Sequence, residues 1–418
     1  MYNLSNVCGL SLAYDRCQVA PEARSGRARR AFAELTATRA DCLAKEVFCR
    51  MWKCHAGAGS RALSPAHWGF RGWVVAVACV ALAGCQRAAE PQFVSSDLVE
   101  QLEPELQEQV REQLHKYAGT PNNPKLIGAD EQDEQMLKRG AAVYREHCQQ
   151  CHGVSGDGNG LAAQYLTPRP RDYRMGVFKF TSTPYGYKPR REDLMRTIER
   201  GVTGTSMPSF ARLPKKDLEA VTDYVLALTH RGELERLLAA TADAEGELDE
   251  EMTQDAIDTI ESQWQQARQN VVEPETKMPP ITPESVAAGA ALFQKRECFK
   301  CHGHDGRGGL AGGIEVGNDV WGNKDPAADL TSGMLHGGQL PLDVYRRIAS
   351  GINGTPMPAF RDAFPDDPDA IWQLAHFVLS LAEKRRLGVQ FPPGAAAAAP
   401  EGGEAEAESQ QESAEAKS

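Results

Sequence analysis

No apolar run in this 418-residue chain reaches the ~18 residues that a membrane-spanning helix needs, so the sequence is not that of a polytopic membrane protein. A basic surplus is missing too. The chain holds 57 acidic against 46 basic residues, a net charge of −11, which argues against a nucleic-acid binder. The imbalance is uneven: residues 1–84 hold 11 Lys/Arg and 5 Asp/Glu, so the rest of the chain carries −17. Cysteine is scarce where a disulfide framework would need it. Its total of 11 is odd, and beyond Cys85 it occurs in only two short places. The alternating βαβ pattern that would accompany a thioredoxin-like pair is absent as well. What remains, at 41% hydrophobic and 25% charged, is an ordinary globular composition with length for two or three domains.

The N-terminal region reads as an address. Trp73 to Gly84 (WVVAVACVALAG) is a twelve-residue apolar run preceded by Arg61 and Arg71 and followed at once by Cys85. A positive flank, a short apolar region and small residues at the cut describe a secretory signal. Leu82-Ala83-Gly84-Cys85 resembles the bacterial lipoprotein signal, in which the cysteine is lipidated and becomes the first residue of the mature chain. Cys85 is therefore the expected lipidation site, and an acylated Cys85 would anchor the protein to a membrane without a spanning helix. Residues 1–50 sit awkwardly upstream, with Cys8, Cys17, Cys42 and Cys49 at no meaningful spacing. They read either as an early-placed start, with Met51 the alternative, or as a long leader.

Two segments carry the chemistry: Cys148-Gln-Gln-Cys151-His152 and Cys298-Phe-Lys-Cys301-His302. Cys-x-x-Cys-His is the attachment signature of c-type haem. Two thiols add across the haem vinyl groups as thioethers, and the adjacent histidine reaches the iron. A zinc site would need four thiolates in one coordination sphere, whereas these pairs lie far apart in sequence.

Internal repetition points the same way. A shift of 150 residues overlays the two haem motifs and also Asp193–Phe210 (DLMRTIERGVTGTSMPSF) on Asp343–Phe360 (DVYRRIASGINGTPMPAF). Half of those aligned positions are identical, Met207 and Met357 among them. A lone methionine is usually core filler. Here it stands before a proline in a Gly-x-x-Gly-Thr-x-Met-Pro loop in both copies, placed to be a sixth iron ligand.

On these motifs each module resembles a class I c-type cytochrome. The resemblance implies an all-α fold of two such domains in tandem, with haem c held covalently in each. Cys148, Cys151, Cys298 and Cys301 would be the thioether residues, and His152, Met207, His302 and Met357 the axial ligands. It also implies that Gly140 with Tyr144, and Gly289 with Phe293, let the first helix of each module pack closely on its last. The second copy has one extra residue before Cys298, which disturbs the register. In the family a proline carbonyl holds the proximal histidine, so Pro168 or Pro170, and Pro326, are the expected partners. His147, His230, His304, His336 and His376 compete with the methionines as ligands.

The closing helices show stripes at Val221, Tyr224, Val225 and Leu228, and at Leu374, Phe377, Val378 and Leu381. Asp217, and Asp366 with Pro368, read as helix starts. Leu98, Leu102, Leu106, Val110 and Leu114 step by four through residues 93–117, with Pro104 breaking or starting a helix. Residues 231–276 hold 13 acids and 3 bases and look helical; Ile257, Ile260 and Trp264 could pack them on a module, and the acids read as a solvated face.

The expected organisation is a signal region (1–84), a lipid-anchored tether with an amphipathic helix (85–133), a first cytochrome domain (134–230), an acidic helical linker (231–281), a second cytochrome domain (282–388) and a disordered tail (389–418). His/Met ligation leaves no open coordination position, so the expected function is single-electron transfer, not catalysis on a small-molecule substrate. The partners would be respiratory: a quinol-oxidising complex and a terminal oxidase or reductase, met at the periplasmic or outer face of a membrane. Two alternatives stand. One is a fixed subunit of a larger oxidoreductase, with segment 93–117 and the acidic linker as docking surfaces; the other is a dihaem peroxidase or reductase.

Overall fold

The computed structural model describes residues 90–128, 134–309 and 314–387, which fall in one compact unit. Cys85, the signal region and the tail from 389 onward lie outside the described residues. Among those residues there are helices and no strands, with two isolated backbone bridges at Gly119 and Asn318. No described helix is long and apolar enough to cross a membrane.

Two short helices lead in: α1 (Asp97–Glu100) and α2 (Pro104–Ala118). Pro104 occupies the first turn of α2, where its missing N–H loses nothing, and Gly119 ends the helix at φ 73°. The break between the helices shifts the phase of the four-residue stripe. Leu102, Val110 and Leu114 are buried as expected, but Leu98 is exposed and Val99 takes its place in the core.

The first module runs from α3 (Glu134–His147) through α4 (Gln149–His152) and α5 (Arg191–Arg200) to α6 (Lys215–Glu245). Gly140 lies where α3 crosses α6. A methyl group there would overlap the Ala220 carbonyl, so only glycine allows this approach. Tyr144 then meets Tyr224 edge-to-face at 5.2 Å. Asp217 falls in the first turn of α6, after Pro214, and accepts an ion pair from Arg139 of α3 at 2.5 Å.

Helix α6 does not end near 230 but continues unbroken to Glu245. From Tyr224 to Glu235 it is buried on every side, because α1, α2, α3, α5 and α7 (Glu250–Gln269) all pack on it. Ile257, Ile260 and Trp264 of α7 are in that core. Two of the acids expected in a solvated face are buried here instead. Glu235 pairs with Arg231 at 2.6 Å and accepts the Ser96 N–H, while Glu233 takes the Lys188 ammonium and the Trp264 indole N–H. The apolar faces of α2 and α7 are thus spent inside the molecule. Their charged faces, with Glu105, Glu108, Asp255 and Asp258, remain exposed.

The second module repeats the plan with α8 (Pro283–Lys295), α9 (Phe299–His302), α10 (Pro341–Ser350) and α11 (Ala370–Arg386). Thr282 and Ser285 cap α8 reciprocally through side chain and backbone. Gly289 crosses α11 against the Gln373 carbonyl, and Phe293 meets Phe377 at 5.2 Å. Helix α11 starts at Ala370, after Asp369, a little later than Asp366 and Pro368 suggested.

The modules meet through the loop at 171–188. Lys179 pairs with Asp319 (3.2 Å) and Asp325 (2.8 Å) of the second module. Arg347 donates to the carbonyls of Lys179 and Thr181, and Arg200 reaches Asp343 at 3.2 Å. Asn353 accepts the Gly186 N–H and donates to the Tyr187 carbonyl, while in the reverse direction Gly204 rests against Met334 and His336.

Candidate haem sites

Each Cys-x-x-Cys-His segment is a single helical turn entered from the preceding helix. In α4 the Cys148 carbonyl accepts the N–H groups of Cys151 (3.1 Å) and His152 (2.9 Å), and Gly153 closes the turn at φ 77°. In α9 the Cys298 carbonyl accepts Cys301 (3.2 Å) and His302 (2.9 Å), and Gly303 sits at φ 73°. Such a turn puts both thiols and the imidazole on one small patch. None of the four described thiols is paired with another, and burial lifts Cys148 to about 12 and Cys298 to about 11, so both are neutral thiols at pH 7.

The extra residue of the second copy is absorbed locally. The Cys148 N–H bonds back four residues to Tyr144, whereas the Cys298 N–H bonds back five to Phe293. The slack is taken up at Glu297, which adopts φ 57°, a left-handed conformation that ordinarily suits glycine. Beyond it the turn is the same in both modules.

The histidines are held by main-chain carbonyls, as expected, but not by prolines. His152 Nδ1 lies 3.2 Å from the Arg171 oxygen, and His302 Nδ1 lies 3.2 Å from the Ala328 oxygen. Successive carbonyls of an extended segment point opposite ways. The Pro170 oxygen accordingly faces Gly158, and that of Ala327 accepts the Gly309 N–H, leaving the next carbonyl for the histidine. Pro168 and Pro326 lie further back along the same segments. A carbonyl only accepts, so Nδ1 carries the proton and Nε2 keeps the lone pair that can ligate a metal. Burial draws His152 down to about 4 against the opposing effect of that hydrogen bond, and draws His302 down as well. Both rings are therefore neutral at pH 7.

The methionine loops repeat bond for bond. Val202 N–H bonds to the Met207 carbonyl at 3.1 Å, the Thr205 hydroxyl caps Val202 at 2.8 Å, and the Met207 N–H returns to that hydroxyl at 3.1 Å. Ile352, Thr355 and Met357 make the same three bonds at the same distances. Gly201 and Gly351 lie at φ 69° and 68°, and Gly204 and Gly354 at 80° and 75°. Both methionines are half-buried.

The other histidines have places of their own. His147 ends α3 beside Phe210, and His304 stacks on Phe299 at 4.2 Å. His230 is buried 4.7 Å from the Trp264 ring, and His376 is buried with Nδ1 3.0 Å from the Ser285 hydroxyl. His336 belongs to the second module but faces Gly204 of the first.

Residues 135–225 and 284–378 match the family described as "Cytochrome C oxidase, cbb3-type, subunit III". The chain belongs to the c-type cytochromes. Two cytochrome regions in one chain fit the tandem all-α architecture just described, and such domains bind haem c. No match was found among curated proteins. Among solved structures, a chain of the reducing HAO-like protein complex of Kuenenia stuttgartiensis is 30% identical, with 58% of this chain and 96% of that one covered at a TM-score of 0.46.

The residues present fit haem c. In each cytochrome module Cys-x-x-Cys supplies two unpaired thiols for thioethers, the histidine offers a neutral Nε2, and a methionine stands in a rigid loop. Buried donors are left unmatched on the inter-module face. Two buried donors on it, Arg347 Nε and Trp321 Nε1, have no hydrogen-bond partner.

Proposed function

We propose that the protein is a dihaem electron carrier, exported as a lipoprotein and tethered through an acylated Cys85 to a membrane facing the periplasm or outer side. The observation that supports it is the duplicated site: the same attachment turn, the same carbonyl on the histidine and the same methionine loop, each built twice. In this reading Cys148, Cys151, Cys298 and Cys301 carry the thioethers, His152 and Met207 ligate one iron, and His302 and Met357 the other. When bound, haem c supplies a centre that cycles between Fe(III) and Fe(II).

The protein's own residues set how that centre behaves. Arg171 and Ala328 fix the imidazole rings through their carbonyls, and the thioether cysteines hold the macrocycle through any exchange of ligand. Gly201, Gly204, Gly351 and Gly354 bring the backbone close, and Thr205 and Thr355 keep the methionine loops from opening. Two modules locked face to face would pass electrons one to the other. The −17 of the chain beyond residue 84 suits brief encounters with basic docking patches on respiratory donors and acceptors.

Carbon monoxide is the test. A reduced protein that takes up no carbon monoxide at neutral pH has both sixth positions closed and is a carrier; ready uptake by either haem makes it a peroxidase or reductase instead. A second reading is favoured by the matched family's description as an oxidase subunit: a fixed cytochrome subunit of a larger oxidoreductase complex. Native-gel haem staining after extraction in mild detergent separates the two, since a free carrier migrates alone and a subunit migrates with its complex.

A further inference from the structure

The two methionine loops share their internal hydrogen bonds but not their surroundings. In the second, Asn353 is 6% exposed and is held by the other module. Its Oδ1 accepts the Gly186 N–H at 2.7 Å, and its Nδ2 donates to the Tyr187 carbonyl at 3.3 Å and the Thr181 hydroxyl at 3.5 Å. Two residues on, the Thr355 carbonyl accepts the Tyr185 hydroxyl at 3.4 Å. Between them, the Gly354 carbonyl accepts the Val320 N–H at 3.0 Å, and Gly354 packs on Trp321, which carries the Arg171 guanidinium. The 150-residue shift puts Thr203 where the second loop has Asn353, and Thr203 is exposed. Among the described residues, the first loop touches Met334 and His336 of the second module at Gly204 but exchanges no hydrogen bond with that module. Gly201 and Thr203 also border a cavity of about 60 Å³, so the first loop has room beside it.

An amide suits this position because it accepts and donates at once. A threonine hydroxyl has one proton to give and cannot serve Tyr187 and Thr181 together. Moving the second loop strips the buried Asn353 amide of all its partners, whereas the first loop has no such bonds to lose. We propose that Asn353 is a positioning residue that latches the second methionine loop to the first module, so that Met357 is the fixed sulfur of the pair and Met207 the exchangeable one. The inference rests on the reading that both methionines ligate haem iron. Its consequence is an order of exchange: an added nitrogen base displaces Met207 first, and Met357 yields only when the latch is released. In that exchange an iron–sulfur bond breaks, an iron–nitrogen bond forms, and the iron stays Fe(III) with no electron moved.

The full-length, haem-loaded protein is titrated with imidazole in its oxidised form, and the methionine–iron charge-transfer band is followed. Met357→Ala leaves the band of Met207 alone, and Met207→Ala leaves that of Met357, so the two backgrounds report the sites separately. The wild-type band is expected to disappear in two halves, with the Met207 half lost at the lower imidazole concentration. Asn353→Thr, which installs the residue of the first copy, should lower the imidazole concentration that half-displaces Met357 about tenfold. It should leave the Met207 half where it was, and Arg111→Gln on the exposed face of α2 should move neither. If Asn353→Thr does not retain its fold, Tyr185→Phe removes only the bond to the Thr355 carbonyl and should move the Met357 half in the same direction by less. Two halves that are lost together in the wild type, or a Met357 half lost first, overturn the proposal. So does a Met357 half that stays put in the folded variants. A substitution that moves both halves equally also overturns it, because general loosening of the fold would do the same. Each of these results leaves the dihaem reading standing; a wild-type chain without the band removes both.

Discussion

The guanidinium of Arg171 stacks 3.5 Å from the ring of Trp321 in the other module, while the carbonyl of Arg171 holds His152 of its own. One residue thus joins a proposed haem ligand to the inter-module face. Trp321 in turn packs on Gly354, inside the second methionine loop.

Arg171→Leu separates the two roles. The cation–π contact is partly desolvated, and its loss is expected to lower unfolding stability by about 1–2 kcal/mol in urea titrations. The carbonyl is main chain and remains, so the absorption spectrum of the first haem should not change. A spectrum that changes with Leu at this position would show that the side chain, and not the carbonyl, places His152.

Gly140 and Gly289 answer for the helix crossings. With the Ala220 and Gln373 carbonyls directly opposite, Gly140→Val or Gly289→Val must push the helices apart, at about 3 kcal/mol or more of stability. Each substitution should lower the urea midpoint, and tolerance of Val at either position would contradict the packing described.

Glu297 offers a gain instead of a loss. Its φ of 57° is unfavourable for a side chain by about 1 kcal/mol, and its ion pair to Lys300 is exposed and worth little. Glu297→Gly should therefore stabilise the protein by about 1 kcal/mol in the same titration. A destabilised variant would mean that the second attachment turn does not need the left-handed residue.

His230 sets an acid limit. Burial draws it down to about 4, helped by Lys188 and Arg268 and opposed by the Ile127 carbonyl, whereas in the unfolded chain it titrates near its ordinary 6.5. The unfolded state therefore takes up a proton first as pH falls. The stability due to a neutral His230 is whole above about 6.5 and is lost on the way down to about 4, to a total of about 3 kcal/mol. Urea midpoints measured between pH 7 and 4 should fall less steeply for His230→Gln than for the parent. Parallel curves would place the acid sensitivity elsewhere.

How much of this could be read beforehand differs from residue to residue. The Cys-x-x-Cys-His turns, the methionine loops and the glycine crossings were legible as local structure because close packing and tight turns fix local spacing, and the 150-residue repeat displays it twice. The histidine partners were misread by one residue in the first module and two in the second, because the direction of a carbonyl depends on a dihedral, not on residue type. Glu233 and Glu235 looked solvated because their partners, Lys188, Trp264 and Ser96, are remote in sequence. The inter-module face was invisible for a similar reason: the loops that build it align poorly between the copies, so no repeat marked them.

A potentiometric titration of the haem-loaded full-length protein, followed by its absorption spectrum and run beside Met207→Ala and Met357→Ala, tests the dihaem His/Met reading most directly. Two one-electron haems per chain are expected, with the methionine–iron charge-transfer band in the oxidised form. Each variant should lose about half of that band and lower the potential of one haem only. A single haem per chain, or a band that survives in both variants, would contradict it.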